Sequence, residues 1–311
     1  MTRPALISAC ALCLLPALAP DLKAADPEPK PSPVLIGGRY EVDVRRDIPY
    51  VEGPGADPRK QKLDLYLPRG KTEFPVLFFV HGGGWTTGDR KLYAPVGRLF
   101  ARNGVGAVVV SYRLTPQVTH PGHIEDVASA FAWTYKHIKD YGGRPDRIFV
   151  TGQSAGGHLS ALLATNPTYL KPYGLTPAVI RGAMPVSGIY DVPPGRLRRI
   201  VGFAPNAAQT ASPVRHISGK EPPFLILYAD RDFPSCARMS EDFHAALTKA
   251  GVPAEIVEVK DRNHISIMLR LMLDEADPVT QQLLAFVAKH SEMTLTPRTE
   301  PAGETVEAGN R

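Results

Sequence analysis

The chain contains five runs of mostly consecutive apolar residues, each bounded by turn or helix signals. Runs of this kind are typical of strands that are buried on both faces of a parallel sheet. The five predicted strands cover residues 74–80, 105–111, 147–151, 180–186 and 224–228, and a shorter one follows at 254–259. Between and after them lie patterns typical of helices, at residues 92–102, 124–141, 240–250 and 283–289. Strands that alternate with helices predict an α/β fold, with a mostly parallel central sheet and helices on both faces.

Two further features place the edges of this domain. Residues 40–44 and 62–67 alternate apolar and polar side chains, which predicts paired antiparallel strands at the N-terminal edge of the sheet. Residues 193–218 interrupt the alternation with Pro, Arg and Gly, and we expect a small cap-like insertion over the sheet edge there. The folded domain is expected over residues 39–290.

The two ends of the chain have a different composition. Residues 1–25 have the pattern of a signal peptide: a basic Arg3, an apolar stretch too short to span a bilayer as a helix, and small residues suited to cleavage. This predicts an exported protein, secreted or periplasmic. Residues 20–38 are rich in Pro, Ala and charge, which predicts a flexible leader over residues 26–38, and residues 291–311 predict a disordered tail.

Composition excludes several classes of function. The net charge is +5, but basic and acidic residues are interspersed, and the dense basic group at 196–199 is expected to be solvated loop surface. No nucleic-acid partner is therefore expected. Of three cysteines, Cys10 and Cys13 lie in the predicted signal peptide, so Cys236 has no partner for a disulfide and no metal site of the cysteine type is expected. No later segment is apolar enough to span a membrane, and the oligomeric state stays unknown.

The chemistry centres on the Gly-Gln-Ser-Ala-Gly motif at 152–156. It lies between a predicted strand and a predicted helix, which is the setting of a nucleophile elbow with Ser154 at its tip. The flanking glycines let the turn pack closely while the serine adopts a strained backbone conformation. The amides at the start of the helix point to the same place, where they can stabilise negative charge on an attacked carbonyl.

A serine hydroxyl needs a base within hydrogen-bond reach, and the base needs a carboxylate to orient it. In this fold the expected order along the chain is serine, acid, histidine. His264, which follows the last predicted strand, is the expected base. Asp232 is favoured as the acid because it lies farther past the strand end than Asp230, which is suited to capping the turn.

A run of three glycines follows the strand at 74–80, in the sequence His81-Gly82-Gly83-Gly84-Trp85. Residues without side chains let backbone amides approach a substrate oxygen. We expect the amides of Gly83, Gly84 and Ala155 to form the oxyanion hole, with Gly82 as an alternative donor because pattern alone does not fix the register.

These motifs, together with Ser111-Tyr112-Arg113-Leu114 and Ile124-Glu125-Asp126-Val127, resemble those of α/β-hydrolase fold serine esterases. The most similar branches are the hormone-sensitive-lipase-like carboxylesterases and the relatives of kynurenine formamidase, feruloyl esterases and acetylxylan esterases. The resemblance spans about residues 40–290 and implies a catalytic triad of Ser154, Asp232 and His264. One departure is Tyr228-Ala229, where many members have His-Gly before the acid.

The expected function is an exported serine carboxylic ester hydrolase that cleaves small or aryl esters without a metal or organic cofactor. The short segment between the fourth and fifth runs argues against a large lipase lid and so against long-chain triglycerides. Trp85 and Gln153 are expected at the substrate pocket, although Trp85 is equally suited to anchoring its loop in the core. Two alternatives stay open: an arylformamidase-like amide hydrolase that uses the same residues, and a catalytically silent binding protein on the same scaffold.

Overall fold

The computed structural model describes residues 34–36, 39–193, 197–293 and 295–297. Its strands, numbered along the chain, are β1 (Val34–Ile36), β2 (Val42–Pro49), β3 (Lys62–Pro68), β4 (Phe74–Val80), β5 (Gly106–Val110), β6 (Gly143–Gln153), β7 (Gly182–Val186), β8 (Phe224–Arg231), β9 (Ala254–Asn263) and β10 (Leu295–Pro297). Within the described ranges, β2 to β9 form one sheet in the order β2-β3-β5-β4-β6-β7-β8-β9. Pairing is antiparallel from β2 through β3 to β5 and parallel from β5 to β9.

The helices cover both faces of this sheet. They are α1 (Ala94–Arg102), α2 (Gly122–His137), α3 (Ala155–Thr165), α4 (Arg198–Val201), α5 (Ala207–Thr210), α6 (Cys236–Lys249), α7 (Ser266–Leu273) and α8 (Pro278–Ser291). Alternate residues of β4 point to opposite sides: Phe78 packs into a core shared with α2, α3 and α6, whereas Phe79 packs into a core shared with α1, α7 and α8. All seven residues of β4 are buried, as a doubly covered strand requires. The predicted α/β fold with an antiparallel N-terminal edge is confirmed.

Several boundaries differ from the sequence prediction. Strands β6, β8 and β9 are longer than expected because their polar end residues continue the backbone ladder, as where Arg231 pairs with Asn263. Helix α7, in which six of the eight residues are Ile, Met or Leu, was not predicted. Among the described residues, no helix is both long and apolar enough to cross a bilayer.

Parts of the predicted flexible leader and disordered tail lie within the residues that the structure describes. Residues 34–36 form β1, which pairs antiparallel with β10 at residues 295–297, and Ser291 is the last residue of α8. The backbone groups of these two short segments satisfy each other by pairing. The predicted signal peptide, residues 1–25, and the remaining leader and tail residues lie outside the described part of the chain.

The predicted insertion at 193–218 contains α4, α5 and a short 3₁₀ helix, Pro213–His216, where the structure describes it. A small apolar cluster of Val192, Val201, Ala207 and Ala211 lies beneath these turns. The backbone amide of His120 donates to the carbonyl of Ile200 at 2.8 Å, which ties the insertion to the loop before α2. The insertion is therefore a small, anchored cap.

Candidate active site

Ser154 stands at the tip of a tight turn between β6 and α3. Its backbone has φ 58° and ψ −118°, a conformation that non-glycine residues rarely adopt and that costs free energy. The glycines on both sides allow it: a Cβ added at Gly152 or Gly156 would lie 2.3 or 2.0 Å from the carbonyl oxygen of Val80. The Ser154 amide donates to the carbonyl of Val186 at 2.9 Å, which fixes the turn against β7.

Asp232 and His264 lie together at the ends of β8 and β9. Nδ1 of His264 is 2.6 Å from Oδ1 of Asp232, and the carboxylate is 1% exposed. Burial alone would raise the pKa of Asp232, but hydrogen bonds from His264, Ser187 and the Phe233 amide outweigh it and lower the pKa. The carboxylate is thus held ionised beside the imidazole, which is the arrangement that keeps the Nδ1 proton in place and leaves Nε2 free to accept one.

Asp230 has a different set of partners. Its two carboxylate oxygens accept hydrogen bonds from the backbone amides of Asp261 and Arg262, both at 3.0 Å. The hydrogen bond from Arg262 is the largest cause of its lowered pKa. Asp230 therefore caps the end of β9, while Asp232 is the carboxylate that faces the imidazole.

The loop that carries His264 is attached to the elbow itself. Nε2 of Gln153 donates to the backbone carbonyl of His264 at 2.8 Å, and Gln153 directly precedes Ser154. The same loop is shaped by Asn263, whose Oδ1 accepts from the amides of Ile265 and Ser266 at the start of α7. The side chain of Gln153 is buried and engaged in this link, so its predicted contact with substrate stays a prediction.

The glycine loop lies against the same elbow, with Gly82 nearest. A Cβ on Gly82 would be 2.7 Å from Oε1 of Gln153 and 3.5 Å from the Cβ of Ser154. Gly83 (φ 115°) and Gly84 (φ 60°) adopt conformations that favour glycine, and the Gly83 carbonyl accepts from the amides of Thr86 and Thr87. The predicted donation by Gly83, Gly84 and Ala155 to an oxyanion stays a prediction, and Gly82 is the glycine most closely packed on the nucleophile.

Trp85 anchors the end of this loop. Its indole is 5% exposed, and Nε1 donates to Nδ1 of His158 at 3.3 Å. Nε2 of His158 then donates to the carbonyl of Ala211 in the insertion at 2.6 Å. Burial lowers the pKa of His158 to about 4, so the ring is neutral and can accept from one partner while donating to the other. The chain of contacts links the loop to the cap, and the predicted pocket role of Trp85 stays a prediction.

His81 shapes the start of the loop. Its ring stacks on Tyr112 at 4.4 Å between centroids, and Nδ1 lies 2.7 Å from the carbonyl oxygen of Gly82. Burial lowers the pKa of His81 to about 4, so the imidazole is neutral. This buried ring holds the glycine backbone in place and is not a base for the reaction.

Sequence reasoning missed two neighbours of the acid and base. Oγ of Ser187 donates to Oδ2 of Asp232 at 2.5 Å, and the ring of Phe233 lies 4.3 Å from the ring of His264. The only sequence signal for Ser187 is its place directly after the apolar run of β7, at the edge where ligand sites of α/β sheets occur. In the part of the chain that the structure describes, no group of three His, Cys, Asp or Glu residues could hold a metal ion.

Comparison with known proteins identifies related chains. The BD-FAE family model matches residues 63–171, which include the glycine loop and Ser154. Esterase LipQ of Mycobacterium tuberculosis is 35% identical over 227 residues, which are 66% of this chain and 53% of that protein. Kynurenine formamidase of Danio rerio is 27% identical over 252 residues, which are 78% of this chain and 82% of that protein.

A solved structure, esterase B from Lactobacillus rhamnosis, has the same fold, with a TM-score of 0.70 at 22% identity over 82% of this chain and 90% of that chain. The chain spans about half the length of four of the curated relatives it matches, between 41% and 57%.

Proposed function

We propose that this chain, which has the fold and the sequence similarity of α/β-hydrolase esterases, is an exported serine hydrolase that cleaves small or aryl carboxylic esters through an acyl-enzyme intermediate. The observation that carries this proposal is the buried Asp232–His264 pair, whose loop is hydrogen bonded to the residue preceding the strained Ser154. Each side chain has the chemistry that its step needs.

In the proposed first half-reaction, Oγ of Ser154 attacks the ester carbonyl carbon and Nε2 of His264 takes the hydroxyl proton. Asp232 holds the Nδ1 proton of the imidazole and stabilises the imidazolium that forms. Amides of the glycine loop and of Ala155 stabilise the negative charge on the carbonyl oxygen. The bond to the alcohol oxygen then breaks, His264 gives its proton to the leaving alcohol, and the acyl group stays on Ser154.

In the second half-reaction His264 takes a proton from water, whose oxygen attacks the acyl carbon. The bond to Oγ breaks, the proton returns from His264 to Ser154, and the carboxylic acid leaves. The cycle restores every group to its starting state and consumes one water for each ester. No cofactor enters the proposed steps.

The small cap supports a preference for small or aryl esters. Between β7 and β8, the described residues form two four-residue helices and one 3₁₀ turn, which are tied down by hydrogen bonds to the body of the domain. A lid that opens over a long-chain lipid needs a longer mobile element. We therefore place short acyl and aryl esters before long-chain triglycerides.

A fluorophosphonate probe and p-nitrophenyl acetate test the proposal directly. Wild-type protein should be labelled on Ser154 and should hydrolyse the ester, whereas Ser154→Ala and His264→Ala should do neither at a measurable rate while staying folded by circular dichroism. His244→Ala, whose imidazole contacts the carbonyl of Ala254 away from the site, is the matched histidine control and should keep full activity. Folded wild-type protein without label or turnover would favour the catalytically silent binding protein.

A second candidate reaction is hydrolysis of an aryl formamide. The similarity to kynurenine formamidase over most of both chains favours testing it, because an amide can be cleaved by the same serine, base and oxyanion donors. The ratio of kcat/KM for an N-formyl aryl amine to that for a phenyl ester measures the preference. A ratio above one would replace the ester assignment with an amidase assignment.

Export is the remaining part of the proposal, and the composition of residues 1–25 supports it. The full chain expressed in a Gram-negative host should be found outside the cytoplasm with its N-terminus cleaved between residues 19 and 25. N-terminal sequencing of the fractionated protein checks this. Uncleaved protein confined to the cytoplasm would contradict it.

A further inference from the structure

Ser187 occupies the strand end between the nucleophile and the acid. It follows Val186, the last residue of β7, whose carbonyl accepts the amide of Ser154. The amide of Ser187 itself donates to the carbonyl of Leu227 in β8 at 2.7 Å. Its backbone is thus fixed from both neighbouring strands.

The hydroxyl of Ser187 makes the short contact to the acid. Oγ lies 2.5 Å from Oδ2 of Asp232, and Ser187 is 1% exposed. Oδ1 of the same carboxylate is contacted by His264 at 2.6 Å and by the Phe233 amide at 2.8 Å, whereas the other amide near Oδ2, that of Ala229, is at 3.4 Å. A hydroxyl that donates to a carboxylate at this distance forms a strong, charge-assisted hydrogen bond.

The backbone of Ser187 is strained. Its φ of 47° lies in the left-handed region, where a Cβ is unfavourable and glycine is preferred. A glycine at this position would relieve the backbone but would remove the short donor to Oδ2. The strained backbone therefore places a hydroxyl beside Oδ2 at a position where glycine would have the lower backbone energy.

We infer that Ser187 is a positioning residue for the hydrolytic reaction: its hydroxyl holds Oδ2 of Asp232 so that Oδ1 faces Nδ1 of His264. This role rests on the proposed function of the triad. With two donors on Oδ1, and with Ser187 at 2.5 Å and the Ala229 amide at 3.4 Å on Oδ2, the plane of the carboxylate is fixed. Without the hydroxyl, Oδ2 keeps the longer contact from Ala229 but loses the short one, so the carboxylate can rotate and the imidazole loses part of its orientation toward Ser154.

The pair Ser187→Ala and Ser187→Gly tests the inference, because both remove the hydroxyl and the glycine variant also relieves the backbone. We expect each to lower kcat for p-nitrophenyl acetate by about 10- to 100-fold, the effect of one charge-assisted hydrogen bond, with KM changed less than about twofold. Ser129→Ala, a second buried serine whose hydroxyl contacts only the carbonyl of Tyr50 among its described partners, is the matched control and should match wild type.

The Nδ1 proton of His264 supplies a readout that does not need turnover. Its downfield proton resonance should move in both Ser187 variants and stay in place in Ser129→Ala. Variants that keep kcat within twofold and leave the resonance unmoved would overturn the inference, as would a loss in Ser187→Ala that Ser187→Gly restores. If wild-type protein shows no turnover but the resonance still moves in the two Ser187 variants, the proposed function is overturned, while the role of Ser187 in positioning Asp232 and His264 is supported.

Discussion

The two aspartates at the end of β8 give the sharpest test of the site, because they are two residues apart and have different partners. Asparagine at 232 keeps the size of the side chain but removes the buried charge beside the imidazole. If its NH₂ group faces Nδ1 of His264, the ring must carry its proton on Nε2, and Nε2 then cannot accept the proton of Ser154. If its oxygen faces Nδ1, the imidazolium that forms during attack lacks an opposing charge.

The magnitude follows from this loss. The same substitution in a Ser-His-Asp triad lowers kcat by about 10⁴, which corresponds to roughly 5.5 kcal/mol of barrier. We expect kcat of Asp232→Asn to be about 10³- to 10⁴-fold lower than that of wild type. Asp230→Asn should stay within about threefold of wild type, because an amide oxygen still accepts from one of the two amides that Asp230 now caps.

The assay is kcat/KM for p-nitrophenyl acetate on freshly purified variants, with thermal unfolding followed by circular dichroism to exclude loss of folded protein. Fluorophosphonate labelling rates give a second measure that does not depend on product release. If Asp230→Asn were the more damaging substitution, or if Asp232→Asn kept a tenth of wild-type activity, the assignment of Asp232 as the orienting acid would be refuted.

Three further predictions concern the glycine loop, the buried His158 and the buried ion pair of Arg90 and Asp64. Gly82→Ala would place a Cβ 2.8 Å from the carbonyl oxygen of Gln153, so we expect kcat/KM to fall by about 10² to 10³ with KM little changed, and full activity would contradict the close packing of loop and elbow. Burial holds the pKa of His158 at about 4, below its unfolded value, so only the unfolded chain binds a proton between pH 6.5 and 4. The contribution of this group to the free energy of unfolding is therefore complete above pH 6.5 and falls by up to about 1.4 kcal/mol per pH unit below it. Denaturant titrations at pH 7.5 and 5 should show that the free energy of unfolding falls less in His158→Gln than in wild type. An equal fall would argue against a neutral buried ring. Arg90→Ala leaves the buried Asp64 without the guanidinium that contacts it at 2.9 Å and should lower the free energy of unfolding by about 3 to 5 kcal/mol, measured in urea, whereas a loss below about 1 kcal/mol would mean that water replaces the pair.

The central strands were predictable because their side chains alone specify them. Residues 74–80 are apolar throughout, and the structure places β4 over the same seven residues with all of them buried. The ends of β8 and β9 were not predictable in this way. Arg231 and Asn263 pair beyond a register shift after Ala229, and this pairing depends on backbone hydrogen bonds that leave no mark in the side-chain pattern.

Some features of the site were likewise predictable from the sequence, and others were not. The spacing of Asp230 and Asp232 past a strand end is visible in the sequence, because it fixes which carboxylate extends farther toward the neighbouring loop. Ser187 is different, since a serine after an apolar run has no pattern of its own. Its contact with Asp232 arises only because β7 and β8 are neighbours in the sheet and its φ is positive. Which glycine lies on the nucleophile is likewise a matter of loop conformation.

Hydrogen bonds connect the ends of β6, β7, β8 and β9 in a closed circuit. Ser154, directly after β6, is hydrogen bonded to the end of β7, Ser187 after β7 to Asp232 after β8, and Asp232 to His264 after β9. The circuit closes when His264 accepts from Gln153, the residue preceding Ser154. The strands are rigid and lie in the order β6-β7-β8-β9, so a shift at one end is opposed by both neighbours. The strain at Ser154 and Ser187 is therefore carried by the sheet as a whole, which explains how two non-glycine residues with positive φ persist side by side in the structure.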